Sequence, residues 1–250
     1  MKKTFVSILM GLLVVASSFA YTISDGEKVL DKVYENAELG DVDYSCTITL
    51  ISEKPGTPKE QAQFKVFERV AEEQFSMIQI LPEADKGNGY LREGDNLWYY
   101  DPIGRKFSHT SLKENIGDSD AKVSDMTKDY SWRDNYEVTD VKDGKLGAYD
   151  VWIISINAIS SEPAYAKSVV YVRKDVPIIL KQEDLSTSDR LMRTILMPKY
   201  TKVKDIYVAT QMIIRDELNP GEQTQQIISD ISLADLPDRI FTKAYLEQIN

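Results

Sequence analysis

The stretch Asn96-Leu97-Trp98-Tyr99-Tyr100-Asp101-Pro102-Ile103-Gly104 decides how this chain is read. The strand segment Asn96–Tyr100 runs into Asp-Pro-Ile-Gly, which suits a type I turn with proline second and glycine fourth. Along a strand, Leu97 and Tyr99 point one way while Trp98 and Tyr100 point the other. The strand is therefore apolar on both faces, unlike one in a sheet with a wet side. The same holds further on, where Val151 and Ile153 alternate with Trp152, Ile154 and Ile156. Such strands either are covered on both sides or have one face on helices and the other lining a cavity.

More strands lie on either side of this stretch. Segments 42–52, 61–71, 74–81 and 89–92 precede it, rich in Ile, Val, Thr, Phe and Tyr and separated by turn formers. Segments 106–110, 136–141, 148–157, 167–173, 178–185, 191–197, 207–215 and 223–231 follow. Asp143-Gly144 reads as the turn of a hairpin between the strands at 136–141 and 148–157. Ser24 and Glu27 fit a capping box, and Leu30, Val33, Tyr34 and Ala37 follow at helical spacing, so a helix is expected over 24–39. Residues 111–134 are polar and irregular with room for a short helix, and 237–248 reads as a closing helix with Pro237 near its start.

The strands do not alternate with helices as a parallel α/β protein requires. The expected fold is mainly β: one strongly curved antiparallel sheet, an incomplete barrel closed by helices. A single domain over 21–250 is expected, since no linker composition or repeat divides the chain.

Residues 1–20 read as a secretory signal. Lys2 and Lys3 give the positive start, an apolar run follows, and Ser18-Phe19-Ala20 supplies small residues at the cleavage positions. The run falls short of the roughly 20 residues that a membrane span needs. Cleavage is expected after Ala20, with Ala16 as the alternative, and no Cys follows either cut to take a lipid anchor. The expected product is an exported, soluble, periplasmic protein.

Charge and side-chain inventory narrow the function. The formal net charge is −10, from 30 Lys and Arg against 40 Asp and Glu. That balance repels phosphate backbones, so no nucleic-acid partner is expected. With one Cys and one His, a structural metal site built on those ligands is excluded. His109 has Ser108 and Ser111 near it, yet neighbours on a strand point to opposite faces and no G-x-S-x-G elbow occurs. His109 reads as a polar strand residue and Cys46 as a small buried thiol. Phosphate-binding glycine loops are absent, and the acidic stretch from Asp118 to Asp125 lacks calcium-loop spacing. Neither a catalytic residue, a metal nor a cofactor is expected.

One segment is more specific. Pro82-Glu83-Ala84-Asp85-Lys86-Gly87-Asn88-Gly89-Tyr90-Leu91, followed by Asp95-Asn96-Leu97-Trp98-Tyr99-Tyr100-Asp101-Pro102, resembles a signature of the LolA-like outer-membrane lipoprotein-sorting proteins. That signature runs P-x-x-x-K-G-x-G-[FY]-L and then D-x-x-W-x-Y-x-P. Val170-Tyr171-Val172-Arg173-Lys174-Asp175 to Leu180-Lys181-Gln182-Glu183 is similar to a later hairpin of the family. Tyr207-Val208-Ala209-Thr210-Gln211-Met212 is similar to a further strand, with Ala209 where proline is usual.

The resemblance implies a bent, open barrel whose apolar cavity holds acyl chains of lipoproteins or another lipid. It implies periplasmic carriage towards the outer membrane, with an inner-membrane transporter as donor and an outer-membrane acceptor. The classical carriers fasten a lid with an early-strand arginine; Arg69 is the candidate by position, but its surroundings do not align and the role is not transferred.

The expected function is carriage, not catalysis. A periplasmic sensor or surface adhesin on the same fold is the alternative, with a weak lipid hydrolase resting on His109 behind it. The expected cavity residues are Trp98, Tyr100, Trp152, Ile154 and Ile156, joined by Phe75 and Met77 of the preceding strand. A register change of one residue exchanges the two faces, so these parities line either the cavity or a helix-covered side. They are expected to face the cavity.

Overall fold

The computed structural model describes residues 21–37, 42–94, 96–127 and 132–249. The expected signal segment lies outside the described residues. Among the described residues thirteen strands form one open sheet, every neighbouring pair antiparallel. The first meander holds β1 (Tyr44–Glu53), β2 (Glu60–Arg69), β3 (Gln74–Leu81), β4 (Gly89–Glu93), β5 (Asn96–Asp101) and β6 (Lys106–His109). The second holds β7 (Tyr136–Leu146), β8 (Tyr149–Ala158), β9 (Lys167–Arg173), β10 (Ile179–Leu185), β11 (Leu191–Val203), β12 (Ile206–Asp216) and β13 (Gln223–Ser232). Strands β6 and β7 are the two edges, and β1 pairs with β13 in the middle. The chain thus walks outward from β1 to one edge, crosses to the other edge, and walks back.

The described parts of the crossing segment, 110–127 and 132–135, pack on the inside of the curve. Its Ile116, Ala121, Val123 and Met126 are buried in a central cluster with Tyr44, Cys46, Ile48 and Leu50 of β1, Phe64 and Val66 of β2, and Ile195 and Ile214. This defines the inner face. Alternation does the rest: on β1, β2 and β3 each second side chain is buried inward.

Helix α1 (Ile23–Ala37) covers the inner face at the β7 edge, where Leu30 and Val33 pack with Val138, Val141, Ile154, Ile156, Val170 and Val172. Its close approach depends on Gly26, where a Cβ would lie 2.4 Å from Val141 Cγ2 and 3.0 Å from Val138 Cγ1. The cap differs from the sequence expectation. Thr22 and Asp25 form it, with Thr22 N to Asp25 Oδ2 at 2.9 Å and Asp25 N to Thr22 Oγ1 at 3.2 Å. That reciprocal pair is the capping box, set two residues ahead of Ser24.

Helix α3 (Lys243–Gln248) covers the opposite, outer face of the first meander, burying Leu246 with Ile78, Leu91 and Tyr100. Here the glycine motif finds its reason. Gly87 has φ +90°, a left-handed turn that favours glycine. A Cβ on Gly89 would sit 2.9 Å from Leu246 Cδ2, so Gly89 is the seat of α3. Arg69 fastens the same tail: it donates to Leu236 O at 2.6 Å, Asp238 Oδ1 at 3.0 Å and Asp43 Oδ1 at 3.0 Å. It holds the C-terminal segment, not a lid.

One turn and one strand end move from where the sequence placed them. Asp143 and Gly144 lie inside β7, and the hairpin turns at Gly147 with φ +59°. Gly144 is explained by packing instead, since a Cβ there would meet Ile153 Cδ1 at 2.4 Å. Strand β11 continues past Pro198 to Val203, because the proline falls at a bulge between Leu196 and Lys199.

Candidate functional site

Two adjoining cavities open on the inner face. The smaller, about 250 Å³, has α1 as one wall through Val33, Tyr34 and Ala37, and β1 as another through Cys46 and Ile48. Met126, Val208, Met212 and Ile228 complete a mostly apolar lining. The larger, about 850 Å³, lies between the crossing segment, α2 (Trp132–Asn135) and strands β2, β3, β10 and β11. Phe75, Ile195, Met197 and Trp132 give it apolar walls, while Glu68, Glu73, Arg92, Lys113, Asp134 and Glu162 make it partly polar. Tyr34, Asp125, Thr127 and Met212 line both. The larger volume falls within the roughly 300–1,000 Å³ of sites that bind small molecules.

A buried charge network braces the wall of the larger cavity. Arg193, 7% exposed, donates from Nη1 to Asp125 Oδ2 at 2.8 Å and from Nη2 to Asp125 Oδ1 at 3.0 Å. Its Nε donates to Asp184 Oδ2 at 2.6 Å, and Asp184 is 1% exposed. Ser168 Oγ and Gln182 Nε2 satisfy the other oxygen of Asp184 at 2.6 and 2.8 Å. Burial opposes the charge on Arg193, but Asp125 and Asp184 more than offset it and hold the guanidinium firmly protonated. Tyr165 stacks on this guanidinium at 4.9 Å, and burial pushes its phenol up. Burial and the charge of Arg193 push Lys122 down. Because Asp125 belongs to the crossing segment, the network pins that segment to β10 and β11.

The residues expected to line a cavity are distributed among three places. Phe75 lines the larger cavity, and Met77 is fully buried in the central cluster on the same face. Trp152, Ile154 and Ile156 also face inward, but α1 lies on them. Trp98 and Tyr100 sit on the outer face, packed against Leu246 and Tyr245 of α3, while Leu97 and Tyr99 take the inward positions. For these two the parity is reversed: both faces of β5 are apolar, and α3 covers the outer one. His109 is exposed on edge strand β6 with its ring 3.8 Å from that of Trp98. Cys46 is buried in the central cluster.

Sequence reasoning missed the walls supplied by α1, Met126 and Met212. The helical stripe of Val33, Tyr34 and Ala37 was the available signal for the first. Met212, two residues from Ile214 on β12, shared the inward parity of an apolar strand.

The model of a family described as "uncharacterized protein" matches residues 71–248. The chain belongs to that family. No curated protein matches it. Among solved structures, a LolA superfamily protein from Nitrosomonas europaea superposes with a TM-score of 0.76 at 21% identity, covering 88% of this chain and 98% of that one. A putative outer-membrane lipoprotein-sorting protein domain from Vibrio parahaemolyticus gives 0.79 at 20% identity, covering 91% and 100%. A DUF1329 family protein from Desulfovibrio piger gives 0.78 at 18% identity, covering 90% and 98%. At these identities the likeness establishes the fold, an open LolA-like barrel.

Proposed function

We propose that the protein binds acyl chains, of lipoproteins or of another lipid, in its inner cavities and carries them across an aqueous compartment towards the outer membrane. The observation that carries this reading is the apolar chamber between α1 and β1, adjoining a larger cavity within a LolA-like barrel. A carrier must hide hydrocarbon from water, and each buried CH₂ contributes about 0.8 kcal/mol, so affinity needs no chemistry. In this reading residues 1–20 direct export and are removed after Ala20, the 21–250 portion works as a single unlipidated periplasmic domain, and it is not an enzyme. The donor is an inner-membrane transporter and the receiver an outer-membrane acceptor.

Native mass spectrometry of protein released gently from its own periplasm tests the proposal. The expected spectrum shows added mass that dissociates as an acyl-chain lipid. Folded protein that carries no lipid, and that also fails to bind an environment-sensitive apolar dye displaceable by twelve-carbon amphiphiles, would overturn it.

A further inference from the structure

The open sheet ends in two unequal edges. Strand β6 has four residues and β7 has eleven. On one side β7 pairs with β8; on the other, no described residue hydrogen-bonds to its main chain between Thr139 and Leu146. The two-residue loop Gly147-Ala148 fixes which groups are left over, because its flanking pair, Leu146 and Tyr149, exchanges main-chain hydrogen bonds. Such bonding alternates along an antiparallel ladder. Gly144, Lys142 and Asp140 therefore bond to β8, while Lys145, Asp143 and Val141 aim their N–H and C=O groups at the free edge. The neighbouring strands agree: the carbonyl of Asp150, opposite Lys145, points away from β7 and accepts from Lys174 N at 3.0 Å.

A free row of this kind is a template for another strand, and proteins commonly blunt it with charges or a bulge. β7 carries both: its bulge lies between Val138 and Asp140, and Asp140, Lys142, Asp143 and Lys145 follow. Those charges, however, are complementary to themselves. Under a two-fold axis normal to the sheet, directly opposite residues share a face and the central residue lies opposite its own copy. Centring the axis on Asp140, Lys142 or Asp143 sets like charges face to face, which is destabilising. Centring it on Gly144 meets the Gly147 turn after only two residues. Centred on Val141, whose main chain is aimed outward, it sets Asp140 against the copy's Lys142 and Lys142 against the copy's Asp140. These two side chains are 44% and 69% exposed, and within one chain they pair with each other along the strand. We propose that β7 is the interface for a second copy of this chain, joined antiparallel about a two-fold at Val141, with an Asp140–Lys142 pair on either side of the axis. The ladder is short and its ion pairs are exposed, so the dimer is weak and sensitive to salt. The two inner faces then lie on the same side of the joined sheets.

Sedimentation equilibrium of the purified protein, from tens to hundreds of micromolar and at low and high salt, tests the proposal. The expected result is a monomer–dimer equilibrium that salt weakens. Asp140→Lys alone and Lys142→Asp alone should each weaken association at least tenfold, because like charges then meet twice across the axis. Both positions are solvent-exposed, so thermal unfolding of either variant should match the unaltered protein. The decisive sample is an equimolar mixture of the two variants, in which every opposed pair is again Lys against Asp. A heterodimer should return there, with an affinity within threefold of the unaltered dimer. A protein that stays monomeric throughout the range, single reversals that leave association unchanged, or a mixture that associates no better than its components would each overturn the proposal.

Discussion

Replacing Gly26 by alanine sets two effects of opposite sign against each other. Alanine in a helix interior is favoured over glycine by roughly 0.5–1 kcal/mol, and Gly26 has no positive φ to protect. On helix propensity alone Gly26→Ala would stabilise the protein. The added methyl, however, would lie 2.4 Å from Val141 Cγ2 and 3.0 Å from Val138 Cγ1. Both partners are buried and β-branched, with little rotamer freedom to yield. Overpacking of this kind costs about 1–3 kcal/mol. The clash should win, leaving a net loss of about 1–2 kcal/mol. Urea unfolding followed by tryptophan fluorescence reads this as a lower midpoint at unchanged slope. Val141→Ala opens the space, so the double variant should lose less than the two single losses added together, by about 0.5–3 kcal/mol. A neutral or stabilising Gly26→Ala, or strictly additive losses, would show that α1 is not seated on β7 as described.

Three further outcomes follow from the buried polar groups. Arg193→Met strands Asp125 and Asp184 without their cation and should cost about 3–5 kcal/mol, most of it recovered when both aspartates are also made asparagine; a loss below 1 kcal/mol in thermal unfolding refutes the network. Gln226 is fully buried with neither amide atom hydrogen-bonded, so Gln226→Met should raise stability by about 1–3 kcal/mol, and a drop in denaturation midpoint refutes this. Burial pushes Asp43 up, but hydrogen bonds from Arg69 and from the Leu236 amide outweigh it, and its folded-state pKa is depressed. Its contribution is therefore present above the unfolded value of about 3.9 and is lost as pH falls through the lower folded value. Protease cleavage of the 233–249 tail should accelerate over that acid range, and Asp43→Asn should flatten the profile; an unchanged profile counts against the clamp.

Most of the sheet was legible because strand alternation and turn chemistry are local. The limits of β3 and β9 were read as they stand, and the count of strands followed from the spacing of turn formers. The misplacements share a cause, which is contact between neighbouring elements that single-strand patterns do not show. Gly144 looks like a turn residue until Ile153 is placed across from it. Pro198 looks like a strand end until the bulge opposite Met212 absorbs it. Trp98 and Tyr100 looked like cavity residues because β5 is apolar on both faces. Only the docking of Leu246 on Gly89 says which face is outside. The cavity lining was least legible, since α1 and the crossing segment reach it by tertiary packing alone.

The pairing of β1 with β13 has a kinetic consequence. It joins Ser45 to Ser232, so the middle of the sheet, not its edges, is closed by the longest loop in the chain. Bringing such distant segments together has an entropic cost that must be met before the ladder rewards it. As the chain emerges from its N-terminus, the β1–β6 meander has all its local partners while one side of β1 stays unpaired until almost the last residues arrive. The exposed row would be Tyr44-Ser45-Cys46-Thr47-Ile48-Thr49-Leu50-Ile51, half of it β-branched and all of it free of charge. A bare edge of that composition templates association with other chains. Newly made protein should thus be most prone to aggregate when truncated before β13, and least once that strand has docked.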